Sequence, residues 1–153
     1  MLQATKERRL PVSTRVAWSA LSNVKVLQAC IPGCASLTAM SPTEFMVTVV
    51  AGFGPLKTTV KGTIELQRHG DDDPPASYTL YFDGYGRFLG RAQGEAHVQL
   101  RPIAEGGTIL RYGSKARVSG RIAAAGASII DIAVQELTEN FFSRLSDHIH
   151  RVE

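Results

Sequence analysis

From residue 56 to 67, apolar and polar side chains alternate without a break. Leu56, Thr58, Val60, Gly62, Ile64 and Leu66 fall on one side, and Lys57, Thr59, Lys61, Thr63, Glu65 and Gln67 on the other. A period of two with one wet face predicts a strand in a half-solvated antiparallel sheet. The same beat precedes it at Phe45, Val47, Val49 and Ala51 and follows it at Tyr78, Leu80 and Phe82. It returns at Ala92, Gly94, Ala96, Val98 and Leu100, and again at Leu110, Tyr112, Ala116 and Val118. Short connections make these strands a meander. Residues 3–10 read as a first strand ended by Pro11, and Ala35 to Met40 as a short one. Between them Ser13 or Thr14 caps a helix whose apolar stripe is Val16, Ala20 and Leu21. Asn23 breaks it, and Val24, Leu27, Ala29 and Cys30 suggest a second short helix closed by a Pro32-Gly33 turn.

After Gly120 the spacing becomes helical, through Ile122, Ile129, Ala133, Leu137, Phe141, Leu145 and Ile149. That stripe covers ~28 residues, about 42 Å at the helical rise. A sheet with one wet face must cover the other, and only this helix is long enough to do so. The expected fold class is therefore α+β in the helix-grip arrangement. A curved antiparallel sheet of about seven strands wraps a long C-terminal helix, with two short helices after the first strand. One domain is expected over residues 1–153.

In a meander, successive hairpin tips alternate between the two ends of the sheet. Phe53, Leu56, Tyr85, Phe88, Leu89 and Ile122 are thus predicted to gather at one end as a portal, opposite the acidic loop Asp71-Asp72-Asp73. Apolar side chains at glycine-flanked tips gate a pocket, touch a membrane or fold back as a plug. Gly62, Ala92, Gly94, Ala96, Ala116, Gly126 and Ala133 are small residues expected between sheet and helix, where they either leave a cavity or allow close packing. The expected cavity wall is Val47, Val49, Thr58, Val60, Ile64, Leu80, Phe82, Ala96, Val98, Leu110, Tyr112, Ala116, Ile129, Ala133 and Leu137. Tyr112 or Thr58 would supply polar contact to a ligand's head group.

Composition adds exclusions. Apolar residues at 44% and charged residues at 20% suit an ordinary folded protein, not a disordered one. No apolar run approaches the ~20 residues that span a bilayer, and no leader pattern opens the chain, so a cytoplasmic location is expected. The net charge of +3 is spread out. Arg87, Arg91, Arg101, Arg111, Lys115, Arg117 and Arg121 read as a solvated outer face, without the basic stripe and interleaved aromatics that nucleic acid requires. Cys30 and Cys34 lack the further ligands of a zinc site and read as structural thiols. His69, His97, His148 and His150 have no expected place in the interior, where a nucleophile–histidine device would need one. Asp131 is the one acidic group that could face inward, and the solvent side is its expected place. No catalytic constellation, metal site or cofactor is expected, beyond a bound apolar molecule.

The segment Leu27-Gln28-Ala29-Cys30-Ile31-Pro32-Gly33-Cys34-Ala35-Ser36-Leu37 resembles the L-x-x-C-I-P-G-C-x-x-L signature of the CoxG family of carbon monoxide dehydrogenase subunits. This family lies in the START-like SRPBCC superfamily. Gly54-Pro55-Leu56-Lys57, Val60-Lys61-Gly62, Ile129-Ile130-Asp131 and Phe141-Phe142 support the resemblance, which spans about residues 3–145. It implies a helix-grip fold with a hydrophobic cavity. It also implies a non-catalytic accessory role for a molybdenum hydroxylase of the aerobic CO dehydrogenase type, in membrane recruitment and in binding a quinone-like lipid. Family members with an extension past the domain use it for membrane association. This chain ends at Val152-Glu153, so peripheral contact with the inner membrane face through the apolar tips is the expected route. The rival expectations are an assembly factor without ligand and a polyketide-cyclase-like enzyme.

Overall fold

The computed structural model describes residues 4–53, 56–87 and 90–152, with the side chains of 4–5, 51–53, 56–58, 125, 127 and 150–152 outside that description. Seven strands run β1 (Ala4–Leu10), β2 (Cys34–Ala39), β3 (Glu44–Phe53), β4 (Leu56–His69), β5 (Ser77–Gly86), β6 (Gly90–Pro102) and β7 (Thr108–Ser119). They form one antiparallel sheet in the order β1-β7-β6-β5-β4-β3-β2. The meander is as the alternation predicts, and the long helix as the helical spacing after Gly120 does. β1 closes the far side by pairing with β7, Leu10 opposite Thr108 and Arg8 opposite Leu110.

Helices α1 (Thr14–Leu21) and α2 (Val24–Cys30) follow β1. Ser13 caps α1 by accepting from the Val16 amide at 3.3 Å, and Asn23 caps α2 by accepting from Lys25 and Val26. Asn23 therefore breaks one helix by starting the next. The buried stripe of α1 is Ala17 and Leu21, while Val16 is exposed.

α3 (Ala127–Val152) is preceded by a separate 3-10 turn, Arg121–Ala125. The two are divided at Gly126, whose φ of +95° ends the turn in a conformation that glycine tolerates. The helix lies against β7, β1 and α2. Its inward face differs from the predicted stripe. Phe142, Leu145 and Ile149 are buried, but Ile129 is 56% exposed, Leu137 53% exposed, and Ala133 exposed. A strict four-residue spacing drifts ~40° per step on a 3.6-residue helix, so from Leu145 back to Ile129 it travels about 160° and reaches the opposite side. The residues turned toward the sheet in that half are Ile130 and Val134, both half-buried.

Two clusters make the core. One joins Leu10, Ala17, Leu21, Tyr78, Val98, Leu100, Leu110, Tyr112, Phe142, Leu145 and Ile149. The other joins Leu27 and Leu37 to Phe45 and Val47. The Cys-Ile-Pro-Gly-Cys turn bridges the two, with Cys30 in the first and Ile31 and Cys34 packed against the second. Gly33 has φ +74°, a Cβ on it would lie 2.5 Å from the Val50 carbonyl oxygen, and its own carbonyl accepts from Val50 N at 2.9 Å. Cys30 is buried, Cys34 is half-buried with its thiol pushed up by burial, and the two are not joined in a disulfide. The motif is thus a clamp of α2 and β2 onto β3.

Candidate functional site

The concave face of the sheet has two unlike ends. Cross-strand rows show the change. Leu100 pairs with Leu110, and Val98 lies between Tyr78 and Tyr112. These rows are packed under the helices, with Trp18 edge-on to Tyr78 at 5.0 Å and Tyr112 stacked on Phe142 at 3.9 Å. Further along come Leu66–Leu80–Ala96–Ser114, then Phe45–Ile64–Phe82–Gly94–Ala116, then Val47–Gly62–Gly84–Ala92–Val118. Here Ile64, Leu80, Phe82, Ala92, Ala96, Ala116 and Val118 stay half-buried although they face inward. So do Val49 and Val60 in the next row, and Ile122 beside it.

The helix is pinned where the two ends meet. Ser114 and Thr138 hydroxyls share a 2.8 Å hydrogen bond. Glu139 accepts from Arg8 at 2.6 Å and from the Tyr112 hydroxyl at 2.9 and 3.0 Å, with Lys6 at 3.4 Å. Burial raises the Glu139 carboxyl, but the bonds from Tyr112 and Arg8 and the charges of Arg8 and Lys6 more than offset it and hold it below the usual carboxylate range. Burial likewise raises the Tyr112 hydroxyl, against the pull of Arg8.

Of the expected wall, Val49, Val60, Ile64, Leu80, Phe82, Ala96 and Ala116 are inward and half-buried. Val98, Leu110 and Tyr112 belong instead to the solid core, and Val47 packs with Leu27 and Phe45. Tyr112 is no free head-group contact, because its hydroxyl is committed to Glu139 and Arg8. Ile129, Ala133 and Leu137 lie on the outer side of α3, for the reason of helical drift given above. Ile130, Val134 and Val118 line this face without being in the expected wall, and Ala92 faces it as expected of the small residues. A 3.6-residue period through Phe142 and Leu145 would have found the first two.

The expected portal divides similarly. Phe88 and Leu89, and the side chains of Phe53, Leu56 and Thr58, lie outside the described residues. Tyr85 is 60% exposed and sits between Lys61 and Arg91, on the convex face. Parity along β5 dictates this, since Tyr78, Leu80 and Phe82 point inward and therefore Gly84 and Gly86 do too.

The glycines of the open rows serve curvature as well as space. A Cβ on Gly62 would run into the Asp83 carbonyl oxygen, and one on Gly84 would meet the Phe82 ring at 2.6 Å. At these points backbone and ring come so close that only hydrogen fits.

The convex face carries a groove of about 470 Å³ rimmed by Glu65, Tyr81, Asp83, Gln93, Lys115 and Arg117. Beside it the Thr79 hydroxyl lies 3.0 Å from His97 Nδ1, and His97 Nε2 lies 3.4 Å from Glu95. This has the order of a nucleophile–histidine–carboxylate chain. The Thr79 hydroxyl, however, is already held between His97 and His69, the latter at 2.7 Å, so it is a structural link between two imidazoles and not a nucleophile presented to the groove. At the closed end Arg15 and Arg68 hold the acidic loop through Asp72 and Asp73. Asp131 is half-buried. Among the described residues no helix is long and apolar enough to cross a membrane, and no cluster of three or more His, Cys, Asp or Glu side chains could hold a metal ion.

The family model for CoxG, a carbon monoxide dehydrogenase subunit, matches residues 7–150. The chain belongs to the CoxG family. Among solved structures, a conserved protein from Geobacillus kaustophilus is similar at 27% identity, covering 98% of this chain and 96% of that one with a TM-score of 0.85. A START superfamily protein from Mycobacterium smegmatis is 9% identical over 99% of both chains, with a TM-score of 0.69. An aromatase/cyclase from a Streptomyces species is 10% identical over 98% of this chain and 94% of that one, with a TM-score of 0.64. Identities this low for the last two speak to fold alone, and the CoxG chain has the START/SRPBCC-like helix-grip fold. No curated protein matches the sequence.

Proposed function

We propose that this CoxG-family protein holds an apolar ligand between the open rows of its sheet and the first half of α3, without catalysing a reaction on it. The observation that carries this is the contrast within one surface. Apolar side chains at Ile64, Leu80, Phe82, Ala116 and Val118 face inward yet remain in reach of water. Each square ångström of such surface that a ligand covers is worth ~25 cal/mol. A lipid tail drawn from a bilayer gains almost nothing on transfer, since it was already in an apolar medium. Such a carrier exchanges its ligand with membranes near balance.

The family supports a narrower role. The ligand is a quinone-like lipid, and the protein serves a molybdenum hydroxylase of the aerobic CO dehydrogenase type, by delivering the quinone or by aiding contact of the enzyme with the inner membrane face. Native mass spectrometry of protein purified together with membranes tests the first part. A lipid-sized adduct released by organic extraction is expected, and protein of bare mass alone would remove the carrier role. Co-elution with the hydroxylase on gel filtration tests the second. An intact association with an empty interior would favour a pure assembly factor.

A further inference from the structure

Tyr78 and Tyr112 stand in one cross-strand row of the concave face, joined through Val98. Both rings are buried. The Tyr112 hydroxyl sits between Arg8 and Glu139, at 3.1 and 2.9 Å. Tyr78 has no such company: it is 0% exposed, and among the described residues no group bonds to its hydroxyl. A buried hydroxyl without a partner is costly to the fold, and phenylalanine would pack the same ring against Trp18 without that cost. Burial also raises its pKa, so the group stays protonated and remains a donor.

Its place in the sheet gives the hydroxyl a use. The next inward residue along β5 is Leu80, half-buried, whose neighbours across the sheet are Ala96 and then Ser114. Tyr78 thus stands at the boundary where the solid end gives way to the open rows. The nearby cations are already engaged, Lys6 and Arg8 by Glu139, and Arg68, opposite Tyr78 on β4, by Asp72 and Asp73. A ligand reaching this boundary finds a neutral donor and no uncommitted positive charge, which suits a carbonyl oxygen and penalises a carboxylate or phosphate.

We propose that the Tyr78 hydroxyl is the polar anchor of the ligand site, donating a hydrogen bond to a carbonyl-type oxygen on an otherwise apolar molecule held over the open rows. This rests on the ligand-binding function proposed above. The matched probes are menadione, which carries two carbonyls, and 2-methylnaphthalene, which has the same ring system and none. Trp18 is the only tryptophan in the chain and touches the Tyr78 ring, so its fluorescence reports a ligand arriving there. Titration calorimetry gives the affinities.

Wild-type protein should bind both probes, menadione more tightly and with quenching of Trp18. Tyr78→Phe should weaken menadione about tenfold, leave 2-methylnaphthalene unchanged, and leave the thermal midpoint of the empty protein equal or higher. Equal menadione affinity in both proteins would overturn the anchor while leaving the ligand-binding function intact. A parallel loss for both probes would show that only packing had changed, and would overturn it too. Failure of wild-type protein to bind either probe would bring down the ligand-binding function itself.

Discussion

The two ends of the concave face are made from the same strands and covered by the same helix, yet they solve different problems. At the end of Leu100, Leu110 and Tyr112, large side chains from sheet and helices interlock and exclude water. At the end of Gly62, Gly84, Ala92 and Ala116, the sheet bends through residues too small to reach the helix, and the apolar surface beside them stays half-open. The Ser114–Thr138 bond and the Glu139 cluster mark the border. Stability is concentrated on one side of that border and adaptability on the other, a division that suits a protein that must stay folded while its ligand comes and goes.

The solid end should respond most strongly to truncation. Leu145 is 0% exposed, and Leu145→Ala should cost about 2–5 kcal/mol in chemical denaturation, as deletion of a packed leucine does. The equivalent truncation in the open half, Val134→Ala, should cost under ~1 kcal/mol, because its surroundings are already wet. Equal losses would mean that the two ends are packed alike.

Next in size is the bend that creates the open end. Gly62→Ala would place a methyl against the Asp83 carbonyl oxygen, and the backbone must shift to admit it. A loss of about 2–3 kcal/mol is expected, as for overpacking in a tight interior. Gly70, by contrast, has nothing within 4 Å of its would-be Cβ, so Gly70→Ala carries only the strain of its φ of +81°, about 1 kcal/mol.

At the border, the sign of the Glu139 shift sets a pH dependence. Its carboxyl titrates below the usual range in the folded protein. The stabilisation is therefore present above the ordinary carboxylate value and is lost as pH falls through the lowered one. Glu139→Gln should reduce stability by ~1 kcal/mol at neutral pH and flatten that part of the acid limb. An unchanged acid limb in thermal melts would show that the pin is not carried by this charge.

Much of this was legible in the sequence because the strands alternate so cleanly. Leu56 through Gln67 dictated β4, and the meander then gave the order from β2 to β7, while nothing in the alternation placed β1 beside β7. The helix was harder. Ile129, Ala133 and Leu137 share the four-residue spacing of Leu145 and Ile149, and apolarity alone does not show that such a stripe winds away from the core; only the buried partners of Phe142 and Leu145 set the phase. Tyr85 misled for another reason. An aromatic between Gly84 and Gly86 looks like a gate, but two glycines occupy the inward positions and leave it outside. The Tyr78 hydroxyl had no sequence signal, since a tyrosine and a phenylalanine read alike in a hydrophobic pattern.

The smallest expected change in stability makes the sharpest distinction between the two ends. Ala116 faces inward beside Gly94, where the neighbouring strand offers no side chain to fill the space. Ala116→Leu adds three carbons to a half-buried site, so stability should move by less than ~0.5 kcal/mol, where the same enlargement in a packed core costs ~1–3 kcal/mol. The added side chain does, however, occupy volume that a ligand would use. An unchanged denaturation midpoint with lost binding of 2-methylnaphthalene is the outcome that an open, ligand-holding face requires. A marked loss of stability would mean that the helix already closes on Ala116, and unimpaired binding would place the ligand elsewhere on the molecule.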